Sequence, residues 1–249
     1  MSQGFEDTLA GLRGVEGWLS DDQARRLWDR AREVPDGGRI VEIGSYRGRS
    51  AIVLARAAGR GVRVIAIDPH AGNDRGPQQI EGSSEEGEAD NRAFRANLER
   101  AGIADAVVHV RRMSSDALAE VEGPVELLYV DGAHRYGPAR DDIARWGARV
   151  APGGTLLVHD AFSSIGVTLA FLRLLFLGRD FAYAGRTRSL AEYRRAERPL
   201  GTAARARNAA RQAAELPWFA RNVLVKVALV LGVPALARAL GHRSRDWPY

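Results

Sequence analysis

The chain has 249 residues, 45% of them hydrophobic and 27% charged, and no cysteine. That length and apolar share suit one α/β domain with additions, and the absence of cysteine excludes a disulfide framework and any thiolate metal centre. The formal net charge of +5 is uneven: Gly185–Tyr249 carries 13 basic and 4 acidic residues, net +9, and the rest carries 23 and 27, net −4.

A mildly acidic body without an Asn-Pro-Pro-Tyr type base-flipping word argues against a nucleic-acid partner. Met1–Asp7 lacks a basic and apolar leader, so the expected location is cytoplasmic. Ser20 caps a helix that runs to about Glu33, with Asp21 and Asp22 in its first turn. Pro35-Asp-Gly-Gly38 ends it.

Ile40, Val41 and Ile43 make a buried strand, Gly44 to Gly48 a turn, and Ser50 onward a helix. A strand, a glycine turn and a helix start form a nucleotide site, because glycine lets a ligand approach the backbone. The spacing is Glu42-x-Gly44-x-x-x-Gly48, not the Gly-x-Gly-x-x-Gly of dinucleotide sites. An acid two residues before the first glycine repels a pyrophosphate and favours an ammonium or sulfonium cation.

Arg63 to Ile67 is the next strand, and Asp68 at its end suits a ribose hydroxyl pair; a helix cap or turn acid before Pro69 is the alternative. His70 to Asp90 is polar and aperiodic, so it predicts a long functional loop or a mobile insertion, followed by a helix over Asn91–Ala101. Ala106 to Val110 is a third strand, and a short helix is expected over Asp116–Val121 with Ser115 as its cap. Val125 to Val130 is an apolar run suited to the inside of a parallel sheet, and it ends in Asp131-Gly-Ala-His134. Ligand crevices of open α/β sheets lie beyond the carboxyl ends of the strands, so topology brings Asp131 and His134 to the reaction site.

A helix is expected over Asp141–Val150, with Asp141 and Asp142 as first-turn acids, then a strand over Thr155–Val158 ending in His159 and Asp160. Ile165–Leu177 is apolar nearly all round and predicts a buried helix. Phe181–Tyr183 and Ser189–Tyr193 read as two strands of a hairpin. Ala203–Ala214 is a basic helix, Leu216–Phe219 interrupts it, and Asn222–Leu240 is apolar apart from Lys226. With arginines flanking it, including Arg243 and Arg245, residues 216–245 suit either an interfacial helix at the inner membrane face or a helix packed on the body or a second subunit.

Four stretches carry a resemblance: Val41 to Ser50, Ile67-Asp-Pro69, Val130 to Tyr136, and Pro152 to Asp160. In this order they resemble the class I S-adenosylmethionine-dependent methyltransferases, closest to those acting on hydroxyls of sugars and secondary metabolites, over roughly residues 16–195. The cofactor carries an ammonium and a sulfonium and no phosphate, which agrees with Glu42. The resemblance implies a Rossmann-like doubly wound, mostly parallel sheet with a C-terminal antiparallel hairpin. Together with the N-terminal helix and the basic, apolar tail, it gives a helical cap over 1–36, a cofactor domain over 37–196 and a helical extension over 197–249. It places Glu42, Gly44, Ser45, Tyr46, Gly48, Ser50, Asp68 and Asp131 around the cofactor, and Met113, Ser114 and Ser115 at the adenine.

Transfer of a methyl group to a hydroxyl needs a positioned acceptor and a base. His134 is the first choice and His159 the second. Related sugar enzymes hold magnesium with acids at the matching strand ends, which points to Asp131, His159 and Asp160 as ligands for a divalent cation, magnesium or manganese. An imidazole in that set departs from the oxygen ligands magnesium prefers. The expected partner is a small-molecule hydroxyl acceptor, and the apolar tail suits a homo-oligomer. The competing readings are a non-catalytic or membrane-associated protein on the same fold and, against the glycine spacing, a nicotinamide-dependent oxidoreductase.

Overall fold

The computed structural model describes residues 4–74 and 80–243. Seven strands form one sheet: β1 (Arg39–Ile43), β2 (Arg63–Ile67), β3 (Val107–Val110), β4 (Val125–Val130), β5 (Val150–Val158), β6 (Phe181–Thr187) and β7 (Leu190–Arg195). Their spatial order is β3-β2-β1-β4-β5-β7-β6. β1 to β5 run parallel, and β7 lies antiparallel between β5 and β6. The order reverses between β1 and β4, which opens a crevice at their carboxyl ends.

Strand side chains alternate between faces, and each face has its own core. Val41 and Ile43 join Trp146 and Phe171 on one side, while Ile40 joins Leu27, Trp28 and Phe94 on the other. Helices α2 (Asp21–Arg32), α3 (Arg49–Ala57) and α4 (Ser84–Arg100) supply the second face. Helices α6 (Tyr136–Gly147) and α7 (Ile165–Leu174) supply the first. At about 1.5–3 kcal/mol for each fully buried aliphatic or aromatic side chain, these two cores hold the sheet far more strongly than its surface ion pairs.

Several expectations are corrected. A first helix, α1 (Phe5–Gly11), precedes the expected one. The segment read as a loop up to Asp90 is helical from Ser84; residues 75–79 of it lie outside the described residues. Ser83 caps α4 with Glu86: the Glu86 amide donates to Ser83 Oγ at 3.2 Å and the Ser83 amide donates to Glu86 Oε2 at 2.7 Å. The apolar period was missing because Gly87, Asp90 and Asn91 fill this helix's buried face ahead of Phe94.

The short helix expected over 116–121 is α5 (Ser114–Ala117), with Met113 at its cap position, followed by a 3₁₀ turn over 118–120. Helix α6 starts at Tyr136, five residues early, because proline at position 138 falls in the first turn, where no intrahelical N–H bond is lost. β5 starts at Val150, ahead of the expected Thr155. Helix α7 is not buried all round, since Ile165, Leu169 and Leu172 are exposed.

The extension comprises α8 (Thr202–Ala213), α9 (Leu216–Val230) and α10 (Pro234–Ala239). The Leu216–Phe219 interruption is itself the first turn of α9, which tolerates Pro217. No helix among the described residues is long and apolar enough to cross a membrane. Arg245 lies outside the described residues.

Candidate active site

One cleft at the strand ends has space of about 1040 Å³, open solvent included. Its first side is the turn after β1. Gly44 has φ of +87°, and a Cβ there would stand 2.2 Å from the main-chain oxygen of Asp131, so only glycine brings the two strand ends this close. The turn is held by the chain itself. The Gly44 amide donates to the Ile67 carbonyl at 2.9 Å, and the Gly48 amide to the Ser45 carbonyl at 2.8 Å. Asp68 Oδ2 accepts the amides of Ser45 and Tyr46 at 2.9 and 2.8 Å, and Oδ1 accepts the His70 amide at 2.8 Å. Asp68 lines the cleft with lone-pair capacity left over for a ligand hydroxyl.

Glu42 does not line the cleft. Strand alternation turns it with Ile40 toward α3, where it is fully buried and accepts from Ser50 Oγ. Burial pushes its carboxyl up to about 8, against the lowering effect of the Ser50 bond. Its second oxygen has no hydrogen-bond partner. Ser45, Gly48, Ser50 and Ser115 also stand back from the cleft wall, while Gly44, Tyr46, Asp68, Met113, Ser114, Asp131, His134, His159 and Asp160 form part of it.

The second side is a cluster of two acids and two imidazoles. His134 Nε2 lies 3.1 Å from Asp160 Oδ2 and 3.9 Å from Asp131 Oδ1. His159 Nδ1 lies 3.1 Å from Asp131 Oδ1 and 3.8 Å from Asp160 Oδ2. Burial alone would lower both imidazoles, but the carboxylates outweigh it: Asp160 and Asp131 raise His134, and Asp131 and Asp160 push His159 up to about 10. Burial would likewise raise both acids, but His159 and His134 hold Asp131 below the usual carboxylate range, and His134 and His159 hold Asp160 far below it. The four groups titrate as one unit. Both ring nitrogens of His134 are buried, and neither makes a hydrogen bond.

Asp131, His159 and Asp160 thus come together as the sequence suggested. Their fit to a divalent cation is poor. Asp131 Oδ1 faces His159, its Oδ2 accepts the Tyr129 hydroxyl at 2.7 Å, and Asp160 Oδ2 faces His134. Asp160 Oδ1 is buried without a partner, but the donors beside it are imidazoles, where magnesium prefers oxygen ligands. Among the described residues no group of three or more acids and histidines is arranged to hold a metal ion.

Other contributors carried no signal in the sequence. Gln23 of α2 occupies the third position of a capping pattern, which already accounts for a glutamine there. Its Oε1 accepts the Ser20 amide at 3.0 Å and lies 3.4 Å from His159 Nε2, and its Nε2 donates to Ser189 Oγ at 3.2 Å. Asp142 is a mid-helix acid, not a first-turn one; it lines the cleft, accepts from Ser114 Oγ, and is pushed up by burial to about 6. Trp18 also lines the cleft, its ring 5.1 Å from that of Tyr46. Asp160 and Phe162 adopt φ of 52° and 54°. Helix α9 braces this turn: Asn222 Nδ2 donates to the Phe162 carbonyl at 3.3 Å and Lys226 Nζ to the Ser163 carbonyl at 2.9 Å.

Residues 41–161 match a family model described as a methyltransferase domain. A catechol O-methyltransferase of Mycobacterium tuberculosis is 32% identical over 123 residues, 49% of this chain and 47% of that protein, so the chain spans about half the length of the curated relative it matches. Cofactor-bound Rv0187 from MTB aligns with a TM-score of 0.55 at 22% identity, over 78% of this chain and 89% of that one. The O-methyltransferase TomG from Streptomyces achromogenes, in complex with SAM, aligns at 0.50 and 19% identity, over 79% and 89%. These two likenesses are of fold. The family match runs from β1 through the turn after β5 and takes in the glycine turn clamped to the acid that ends β2, so residues 41–161 are similar to a methyltransferase domain.

Proposed function

We propose that this chain is an S-adenosylmethionine-dependent O-methyltransferase acting on a hydroxyl of a small or glycosylated molecule. In this reading residues 1–36 cap the site, 37–196 hold the cofactor and 197–249 extend it. The observation that carries it is the pairing, in one cleft, of a backbone-clamped glycine turn with the His134–Asp160 pair, Nε2 to Oδ2 at 3.1 Å.

The bound cofactor would supply an already activated methyl group, so the protein's task is to place the acceptor oxygen in line and remove its proton. Asp68 suits the ribose hydroxyls, and Ser114 with Met113 suits the adenine. Glu42 acts from behind the turn: through Ser50 it fixes the start of α3. His134 lines the cleft beside Asp160 and is the base that takes the acceptor's proton in its neutral form. His159, held between Asp131 and Gln23, stays cationic and fixes Asp131. No step passes through a metal ion, in keeping with the poor fit of the donor set.

Calorimetry with S-adenosylhomocysteine, with EDTA and then with magnesium, tests the reading. Binding of equal affinity in both conditions is expected. No binding in either would overturn it, and binding that requires magnesium would overturn the metal-free chemistry.

A further inference from the structure

Helix α9 has two faces with different tasks. Its inner face carries Asn222 and Lys226, which brace the turn after Asp160, and Val225 and Ala228, which pack with Ala237 of α10. Its outer face and the start of α10 leave Leu224, Val227, Val230, Leu231, Val233 and Leu236 exposed, with Val230 at 72% and Leu231 at 70%. Scattered exposed aliphatics are ordinary, but six on one two-helix hairpin form a patch that water covers at a cost. Helix α7 begins two residues beyond the turn that Lys226 holds, and it carries its own exposed stripe, Ile165, Leu169 and Leu172, spaced i, i+4, i+7 on one helix face.

The surrounding charge is of one sign. From residue 201 to 243 there are seven basic residues and a single acid, Glu215, and from 216 to 243 there is no acid at all. Arg238 and Arg243 are exposed beside the patch. The Glu215 carboxylate is taken by Arg186 at 2.7 Å. An isologous contact through this segment would bring two sets of these arginines together with no acid between 216 and 243 to pair them. A surface that is apolar in the middle and cationic at its rim complements anionic lipid headgroups over acyl chains. At 15 residues α9 is about 22 Å long, too short to span but long enough to lie flat.

We propose that the outer face of α9 and α10 docks on an anionic lipid bilayer, lying in the headgroup region without crossing it. The same helix that meets the bilayer then braces the turn carrying Asp160, so the docking surface and the acid–base cluster share one rigid element.

The test is co-sedimentation of the full-length protein with phosphatidylcholine vesicles and with vesicles containing about one-third phosphatidylglycerol. Binding to the anionic vesicles alone is expected, weakened by salt. The double variant Val227→Asp, Val230→Asp should lose at least about tenfold in apparent affinity, since charge on the apolar face opposes insertion. Arg238→Glu should lose less, and both variants should keep the wild-type melting temperature, because the changed side chains are exposed. Absence of wild-type binding, equal binding to neutral vesicles, or unchanged binding of the double variant would overturn the proposal. So would a dimer, seen by light scattering, that the double variant breaks while vesicles bind neither form; that result assigns the face to a second copy. None of these readouts depends on methyl transfer, so docking and the proposed activity fail separately.

Discussion

The two sides of the cleft are built by different means. On the cofactor side, main-chain groups do the holding: amides of residues 45, 46 and 70 converge on Asp68, and Gly44 sits against the Asp131 main chain where no side chain fits. On the acid–base side, four ionisable side chains hold one another, with His159 and His134 each 3.1 Å from a carboxylate oxygen. A backbone-built site is sensitive to shape and indifferent to pH over a wide range. A charge-built site tolerates changes of shape better but follows protonation. The sides meet at Asp131, whose main chain belongs to the first and whose carboxylate belongs to the second.

The change expected to break this division most completely is Gly44→Ala. Its Cβ would stand 2.2 Å from the Asp131 oxygen at a left-handed φ, so the Asp131 main chain must move and both sides fail together. Affinity for S-adenosylhomocysteine should fall by at least about 100-fold, measured by calorimetry, and turnover should vanish with it. An alanine variant that binds normally would mean that the close approach is dispensable.

Next in size is His134→Ala, which should separate the sides. Turnover should drop by about 10²–10⁴, the usual contribution of a positioned base, while cofactor affinity stays within about twofold. Asp160 raises His134, so the wild-type rate should climb with pH beyond the ordinary imidazole range, and Asp160→Asn should move that limb to lower pH. Loss of cofactor affinity in His134→Ala would show that the histidine supports the turn instead.

The smallest effect lies in stability. Glu42 is raised from an ordinary 4.5 to about 8, so its contribution is present below 4.5 and is lost as pH rises toward 8. His159 is raised from 6.5 to about 10, so its contribution is present below 6.5 and is lost as pH rises toward 10. Asp131 and Asp160 are lowered, so theirs is present above 3.8 and is lost as pH falls below it. The melting temperature should therefore peak at about pH 4 and decline on the alkaline side, more steeply once His159 also begins to lose its contribution. Glu42→Gln should flatten the part of that decline between 4.5 and 8 and leave the part driven by His159. A wild-type melting temperature that rises between pH 6 and 8 would contradict both assignments.

Much of this was legible in the sequence because strand patterns are local. Val41 and Ile43, or Leu127 to Val130, mark strands by their own composition, and the polar residues that follow them mark the open end of the sheet. The acidic helix from Ser84 escaped because glycine and polar residues occupy its buried face, leaving only Phe94 and Leu98 as a periodic signal. Helix α7 escaped in the opposite sense: an all-apolar stretch predicts burial, yet its Ile165–Leu172 stripe is exposed. Gln23 carried no signal as a site residue, because a glutamine in the first turn of a capped helix is ordinary.

The sequence by itself determined the order and type of the sheet strands, the glycine turn, and which acids and histidines end which strand, since each follows from a few neighbouring residues. Only the tertiary structure decided what those groups do to one another. It turned Glu42 away from the cleft and under Ser50, engaged Asp131 and Asp160 with imidazoles, brought Gln23 to His159 across 136 positions of chain, and set α9 beneath the Asp160 turn. The reason is physical: protonation and ligation depend on distance and burial, and distance between residues far apart in the chain exists only once the two cores have packed.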